Sequence, residues 1–274
     1  MPVVNGSNQP IGIFDSGIGG LTVAKAIRKL LPNESFIYFG DTAHLPYGDK
    51  SPESIRLYAK GITEFLLARK CKMIVIACNT ASAHAQKTVQ KICGAEIPVI
   101  NVIDPVAIYA AEHFASGKIG VIGTKGTIES RVYVKRIEKL NPRLHVKSRA
   151  TPLLAPMIEE GFFNNKISQA VINSYLAIPS LKGIAALILG CTHYPLIKRQ
   201  VESFYDGQVE IIDSTSVVAG TVRNELKRRK IQNLAKSKPK FNFHVSDYTD
   251  SFEMSTRIFF SEKIHLQESR IWDL

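Results

Sequence analysis

No stretch of this 274-residue chain stays apolar for the roughly 18 residues a membrane-spanning helix needs, so no membrane span is expected. The opening MPVVNGSNQP has neither a basic region nor an apolar core, so no secretory signal is expected and the cytoplasm is the expected location. Cysteine is scarce: Cys71, Cys78, Cys93 and Cys191 are the four present. None forms a C-x-x-C pair, which sets aside a zinc ribbon and a thioredoxin-like motif. Acidic residues are the minority, 24 against 35 Lys and Arg, leaving a formal charge of +11. Such an excess suits an acidic small molecule, a nucleic acid or a basic solvated surface. The 45% hydrophobic content excludes a wholly disordered chain.

Short apolar runs alternate with amphipathic stretches. Strands are expected at Ile11–Phe14, Phe36–Phe39, Met73–Ala77, Val99–Val102, Ile119–Ile122, Leu187–Leu189 and Val209–Ile212. Helices are expected at Leu21–Leu31, Glu53–Arg69, Ala81–Cys93, Pro105–Phe114 and Ser130–Leu140. Near-continuous apolar strands between helices predict open, mostly parallel α/β sheets covered on both faces. Ligands of such folds sit at the carboxyl ends of the strands.

The chain also repeats itself. Ile11-Gly12-Ile13-Phe14-Asp15-Ser16-Gly17 resembles Ile119-Gly120-Val121-Ile122-Gly123-Thr124-Lys125. Ile74 to Thr80, containing Cys78, resembles Leu187 to His193, containing Cys191. Two pseudo-symmetric α/β domains follow, with a cleft between them and a thiol on each wall. The expected division is 1–103 with 213–274 for the first domain and 104–212 for the second.

The motifs fall at strand ends. Asp15-Ser16-Gly17-Ile18-Gly19-Gly20 is a glycine-rich turn into a helix, suited to an anion or to an ammonium group beside Asp15. It lacks the Lys-Ser/Thr of a P-loop and the dinucleotide spacing. Gly40 to Gly48 is a polar loop presenting His44 and Tyr47. Cys78-Asn79-Thr80-Ala81-Ser82 places a thiol where a helix N-terminus should favour thiolate. Cys191-Thr192-His193 admits a nucleophilic thiol–imidazole pair, but that reading leaves Cys78 without a task. Glu159 and Glu160 alone read as solvated charges, and Cys71 and Cys93 as core residues. Two thiols facing one site suit racemisation, which needs a base on one face of an α-carbon and an acid on the other.

Taken together, Gly12 to Val23, Gly40 to Gly48, Ala77 to Ala83, Gly120 to Thr127 and Gly190 to Leu196 resemble the cofactor-independent glutamate racemases of bacteria. Aspartate and hydantoin racemases share the paired cysteines, but the Pro46-Tyr47-Gly48 and Cys191-to-Pro195 segments favour glutamate. The resemblance implies an isomerase that interconverts L- and D-glutamate and supplies D-glutamate for peptidoglycan, hence for cell-wall biogenesis and cell shape. It implies Cys78 and Cys191 as acid/base pair, Cys78 acting on the D-substrate and Cys191 on the L-substrate. Asp15 would assist Cys78, and His193 and Glu159 would assist Cys191. Asp15, Ser16, Tyr47, Gly48, Asn79, Thr80, Thr192 and His193 would bind substrate. It implies no organic cofactor, no metal, and a homodimer. His44 stands where many members carry Arg. A non-catalytic amino-acid-binding protein, or a racemase of aspartate, would share these loops. Residues 223–240 carry eight basic side chains against Glu225, a net +7 that reads as a solvated face, so nucleic acid is not an expected partner.

Overall fold

The computed structural model describes residues 6–235 and 238–272. The first five residues of the N-terminal segment, in which no secretory signal is expected, and Lys236 of the basic segment lie outside the described residues.

Ten strands among the described residues form two sheets. The first sheet takes β1 (Ile11–Asp15), β2 (Phe36–Gly40), β3 (Met73–Ile76), β4 (Val99–Asn101), β9 (Phe241–Val245) and β10 (Gln267–Glu268), in the order β10-β9-β2-β1-β3-β4. The second takes β5 (Gly117–Gly123), β6 (Leu144–Ala150), β7 (Ala186–Gly190) and β8 (Glu210–Asp213), in the order β6-β5-β7-β8. Every pairing is parallel. The run β2-β1-β3-β4 has the same order as β6-β5-β7-β8. The internal repeat in the sequence, β1 with β5 and β3 with β7, is therefore a repeat of topology.

Helices join the strands: α1 (Leu21–Leu30), α2 (Pro52–Ala68), α3 (Asn79–Cys93) and α4 (Asp104–His113) in the first part of the chain. Then follow α5 (Lys125–Glu129), α6 (Val132–Leu140), α7 (Leu154–Glu159), α8 (Lys166–Leu176) and α9 (Lys198–Phe204). The last two are α10 (Ser214–Arg228), which packs on α1, and α11 (Asp250–Phe260). The strand period of two sorts the core. Met73 and Val75 of β3 join the apolar cluster that runs on into the second sheet, while Ile74 and Ile76 face α2 and α3. Both faces are thus buried, as continuous apolar strands require.

Three expectations change. The helix expected from Ser130 starts at Val132, because Arg131 adopts a left-handed conformation (φ 55°) and breaks it from α5. Strand β6 was not expected: it is an edge strand whose alternation carries Lys147 and Arg149, so no apolar run marks it. Strand β9, in a segment for which no strand is expected above, extends the first sheet. The basic segment is also more than a solvated face. Arg228 is exposed, but Arg229 reaches the carbonyls of Ala95 and Glu96 just beyond α3, both at 3.1 Å, and pairs with Glu225.

Beyond α10 the chain crosses the first sheet over a buried ion pair. Lys72 Nζ lies 2.7 Å from Glu34 Oε2, with both side chains almost fully buried. The ammonium also donates to the carbonyls of Ser7 and Ile231, and Glu34 Oε1 accepts from Asn233 N–H. Removing one member of such a pair leaves an uncompensated charge in low dielectric. Lys72→Met is expected to lose about 3–5 kcal/mol in urea unfolding, with an unchanged denaturant slope. A loss under about 1 kcal/mol would instead mark the pair as solvent-screened.

Candidate active site

A cavity of about 260 Å³ opens between the two sheets, and every polar group on its wall comes from beyond the carboxyl end of a strand. The first sheet contributes Ser16 after β1, Tyr47 and Gly48 after β2, and Cys78, Asn79 and Thr80 after β3. The second contributes Thr124 after β5, Glu159 at the end of α7, and Cys191, Thr192 and His193 after β7. All the sequence-expected site residues line this cavity except Asp15, which lies fully buried behind it.

On one wall Cys78 caps α3. Its sulfur accepts from Ala81 N–H at 3.4 Å and lies 3.7 Å from Ser16 Oγ. Behind it, Asp15 Oδ2 accepts from the N–H groups of Gly17 and Gly20, at 3.2 and 3.0 Å. The other carboxylate oxygen, Oδ1, is buried without a partner. Burial pushes the Cys78 thiol up to about 12, and the Asp15 carboxylate adds to this against the pull of Ala81 and Ser16. Burial therefore outweighs the helix N-terminus at Cys78, contrary to the expectation of a thiolate from its place in sequence. Asp15 is itself raised by burial, with His193 and its N–H donors opposing.

The other wall is built differently. Cys191 Sγ lies 3.5 Å from His193 Nδ1, and His193 Nε2 lies 2.8 Å from Glu159 Oε1. Burial opposes a charge on His193, but Cys191 and Glu159 outweigh it and hold the imidazole well above its ordinary range. The ring is wedged in place. Phe259 of α11 stands edge-on at 5.3 Å, and a Cβ on Gly19 would collide with it. Glu160 stays exposed, so the two neighbouring carboxylates, alike in sequence, separate in role.

Between the thiols lies a floor of amide and hydroxyl groups. Tyr133 donates to Asn79 Oδ1 at 2.8 Å, while the amide Nδ2 of Asn79 is buried with no partner. Thr80 Oγ1 lies 2.9 Å from Thr124 Oγ1 and 3.2 Å from Thr127 Oγ1. Thr124 and Thr127 were not singled out in the sequence. The available signal was the repeat, which puts Thr124 at the position of Ser16 in the other half. Gly48 brings the halves together, since a Cβ there would stand 2.9 Å from Thr124 Cβ. Tyr47 gives its phenolic proton to Asp41 Oδ2 at 2.6 Å, and burial with that carboxylate raises it well above its ordinary range. His44 does not line the cavity. Among the described residues no three His, Cys, Asp or Glu side chains cluster as metal ligands.

Two thiols thus stand on opposite walls of one cavity, one backed by a carboxylate and one by an imidazole–carboxylate chain. Fold and site define an isomerase of the racemase class. The chain belongs to the Asp/Glu/Hydantoin racemase family, whose profile matches residues 20–222. It is 44% identical over 244 residues to a glutamate racemase of Geobacter metallireducens, covering 89% of this chain and 90% of that one. It is 43% identical over 258 residues to a glutamate racemase of Chlorobaculum tepidum, covering 94% of each. Among solved structures, the glutamate racemase of Francisella tularensis in complex with D-glutamate superposes with a TM-score of 0.91 at 41% identity, covering 97% of this chain and 98% of that one. No helix among the described residues is long and apolar enough to cross a membrane.

The His193–Glu159 contact makes a pH-dependent prediction. A histidine raised above its unfolded value of about 6.5 adds stability that is complete below that pH and is lost as pH rises through the folded value. Glu159→Gln should therefore lower the His193 midpoint in an NMR titration. Its destabilisation in thermal melts should be larger near pH ~6 than at pH ~10. Equal destabilisation at both would deny the carboxylate any charge interaction with the ring.

Proposed function

We propose that this racemase interconverts L- and D-glutamate by two-base proton transfer between Cys78 and Cys191, without an organic cofactor or a metal. The observation that carries the reading is that both thiols reach one cavity from equivalent strand ends of a repeated fold. The D-glutamate complex of the Francisella relative supports the choice of substrate.

The two walls suggest the roles. In the L-to-D direction Cys191, as thiolate beside the His193 imidazolium, takes the α-proton. Cys78, held as a thiol by burial and by Asp15, delivers a proton to the opposite face. Afterwards Cys191 holds the proton and Cys78 is the thiolate, the form required for D-to-L turnover. The α-carbon of an ionised amino acid is a very weak acid, so the carbanionic charge needs fixed dipoles around it. The unpaired Asn79 amide, the hydroxyls of Ser16, Thr80 and Thr192 and the Tyr47–Gly48 loop are placed to hold the carboxylates and ammonium. The Tyr47 phenol is committed to Asp41, so that loop's donors to a ligand are its peptide groups. Asp15 acts on Cys78 and, through charge, on His193.

The reading extends to a cytoplasmic homodimer that supplies D-glutamate for peptidoglycan, with consequences for cell-wall biogenesis and cell shape, and with no nucleic-acid partner. It keeps the domain division at 1–103 with 213–274 and at 104–212, supported by the crossings after β4 and β8. In D₂O without added cofactor, L-glutamate is expected to exchange its α-proton and yield D-glutamate. Cys78→Ala and Cys191→Ala are each expected to lower racemisation by about 10²–10⁴-fold. No exchange by the unaltered protein, or full activity in either variant, would refute the mechanism.

A further inference from the structure

The loop that presents Tyr47 and Gly48 to the cavity is held from behind by a carboxylate with no catalytic task. Asp41 is fully buried. Its Oδ2 accepts from Tyr47 OH at 2.6 Å, and its Oδ1 accepts from Ser246 Oγ at 2.7 Å and from Trp272 Nε1 at 3.1 Å. His44 Nδ1 lies 3.0 Å from both oxygens. The His44 ring stacks on Tyr58 of α2 at 4.0 Å, and Trp272 closes over both rings edge-on, at 5.2 and 5.6 Å. The segment carrying Trp272 is tied to the sheet edge by β10, by Ser269 N–H to Val245 O at 2.8 Å, and by Ser269 Oγ beside His244 Nδ1 at 2.9 Å. Helix α2 leaves a slot for the indole at Gly61, where a Cβ would stand 2.6 Å from Trp272 Cζ3. A glycine inside a 17-residue helix is otherwise unfavourable, so it is an independent sign that the indole belongs there.

We propose that Trp272 is a positioning residue of the active site: the C-terminal segment docks the indole on Asp41 and so fixes the Tyr47–Gly48 loop against the substrate. His44 belongs to the same cradle, as packing rather than as a base. The proposal rests on the glutamate reading of the cavity. Thr42 and Ala43 tie the start of the loop to Asp247 and Ser246, whereas Tyr47 is held through Asp41. Loss of a donor to that carboxylate lets the Tyr47 end shift, and such misplacement is costly even when remote from the reacting atoms.

Trp272 is the only tryptophan in the chain, so fluorescence reads the docking directly. In the full-length protein the indole is expected to be shielded from acrylamide, and saturating glutamate is expected to shift its emission. Trp272→Ala should lower kcat/KM by about tenfold or more, mainly through KM, as expected for lost substrate positioning. Trp272→Phe should recover part of that loss. Gly61→Ala displaces the indole while leaving the Tyr47–Gly48 loop and the sequence of the C-terminal segment unaltered. It should expose Trp272 to acrylamide and reproduce the KM effect, and the double variant should be no worse than either single one. Should Trp272→Ala fail to fold, Gly61→Ala carries the same test. A kcat/KM within about twofold of the unaltered protein in both variants, even with a lowered Tm, would overturn the proposal. So would a freely quenched indole in the unaltered protein. Failure of the substrate reading shows separately, as absence of glutamate turnover by the unaltered protein; the ratio of variant to parent can then be taken on any amino acid that is turned over.

Discussion

Parallel pairing is the constraint on which the site depends. When every strand of a sheet points the same way, all the loops that leave its carboxyl edge gather at one border. Here two such borders face each other, and the connections that leave β1, β2, β3, β5 and β7 bring their residues to one cavity. An antiparallel strand in the middle of either sheet would carry its motif to the far side. The apolar cores on both faces of each sheet keep this register, because a slip by one residue would turn the buried set outward. At roughly 1.5–3 kcal/mol per buried aliphatic side chain, strands such as Met73–Ile76 hold their ends in place far more firmly than the loops could alone.

Upon that frame the halves make contact through small residues. Gly19, Gly48 and Gly126 each sit where a side chain would strike the opposite half, against His193, Thr124 and Thr80 respectively. The hydroxyl of Thr22 reaches the Thr192 carbonyl at 3.0 Å, and His84 Nε2 meets the Gly126 carbonyl at the same distance. These directional contacts lie at the mouth of the apolar cluster that runs from the first sheet into the second. They leave the cavity between the halves lined by polar groups.

Much of this was legible in the sequence because the motifs are local. A strand, a turn and a helix start can be read within ten residues, and Asp15-Ser16-Gly17, Cys78-Asn79-Thr80 and Cys191-Thr192-His193 each satisfy that condition. What was not legible depends on distant partners. Glu159 becomes more than a surface charge only when α7 brings it to His193, and Asp41 becomes a hub only when residues more than 200 positions away, Ser246 and Trp272, fold onto it. Strand β6 hides because an edge strand may alternate with charges. The direction of the Cys78 shift escaped for the same reason: a capping position is visible in sequence, but the burial that outweighs it is not.

The two walls of the cavity are unlike: a buried thiol with a carboxylate behind it on one side, a thiol with an imidazole–carboxylate chain on the other. Mirror-image amino acids in water have the same free energy, so no arrangement of a catalyst can make a racemase favour one of them at equilibrium. The inequality of the walls must therefore act elsewhere. Under the two-base mechanism proposed above, it would divide the protein between two proton-isomers, each ready for only one hand of substrate, the less populated one being regenerated by moving a proton across the site. Chirality, absent from the thermodynamics of the reaction, would then survive as a difference between those two proton-isomers.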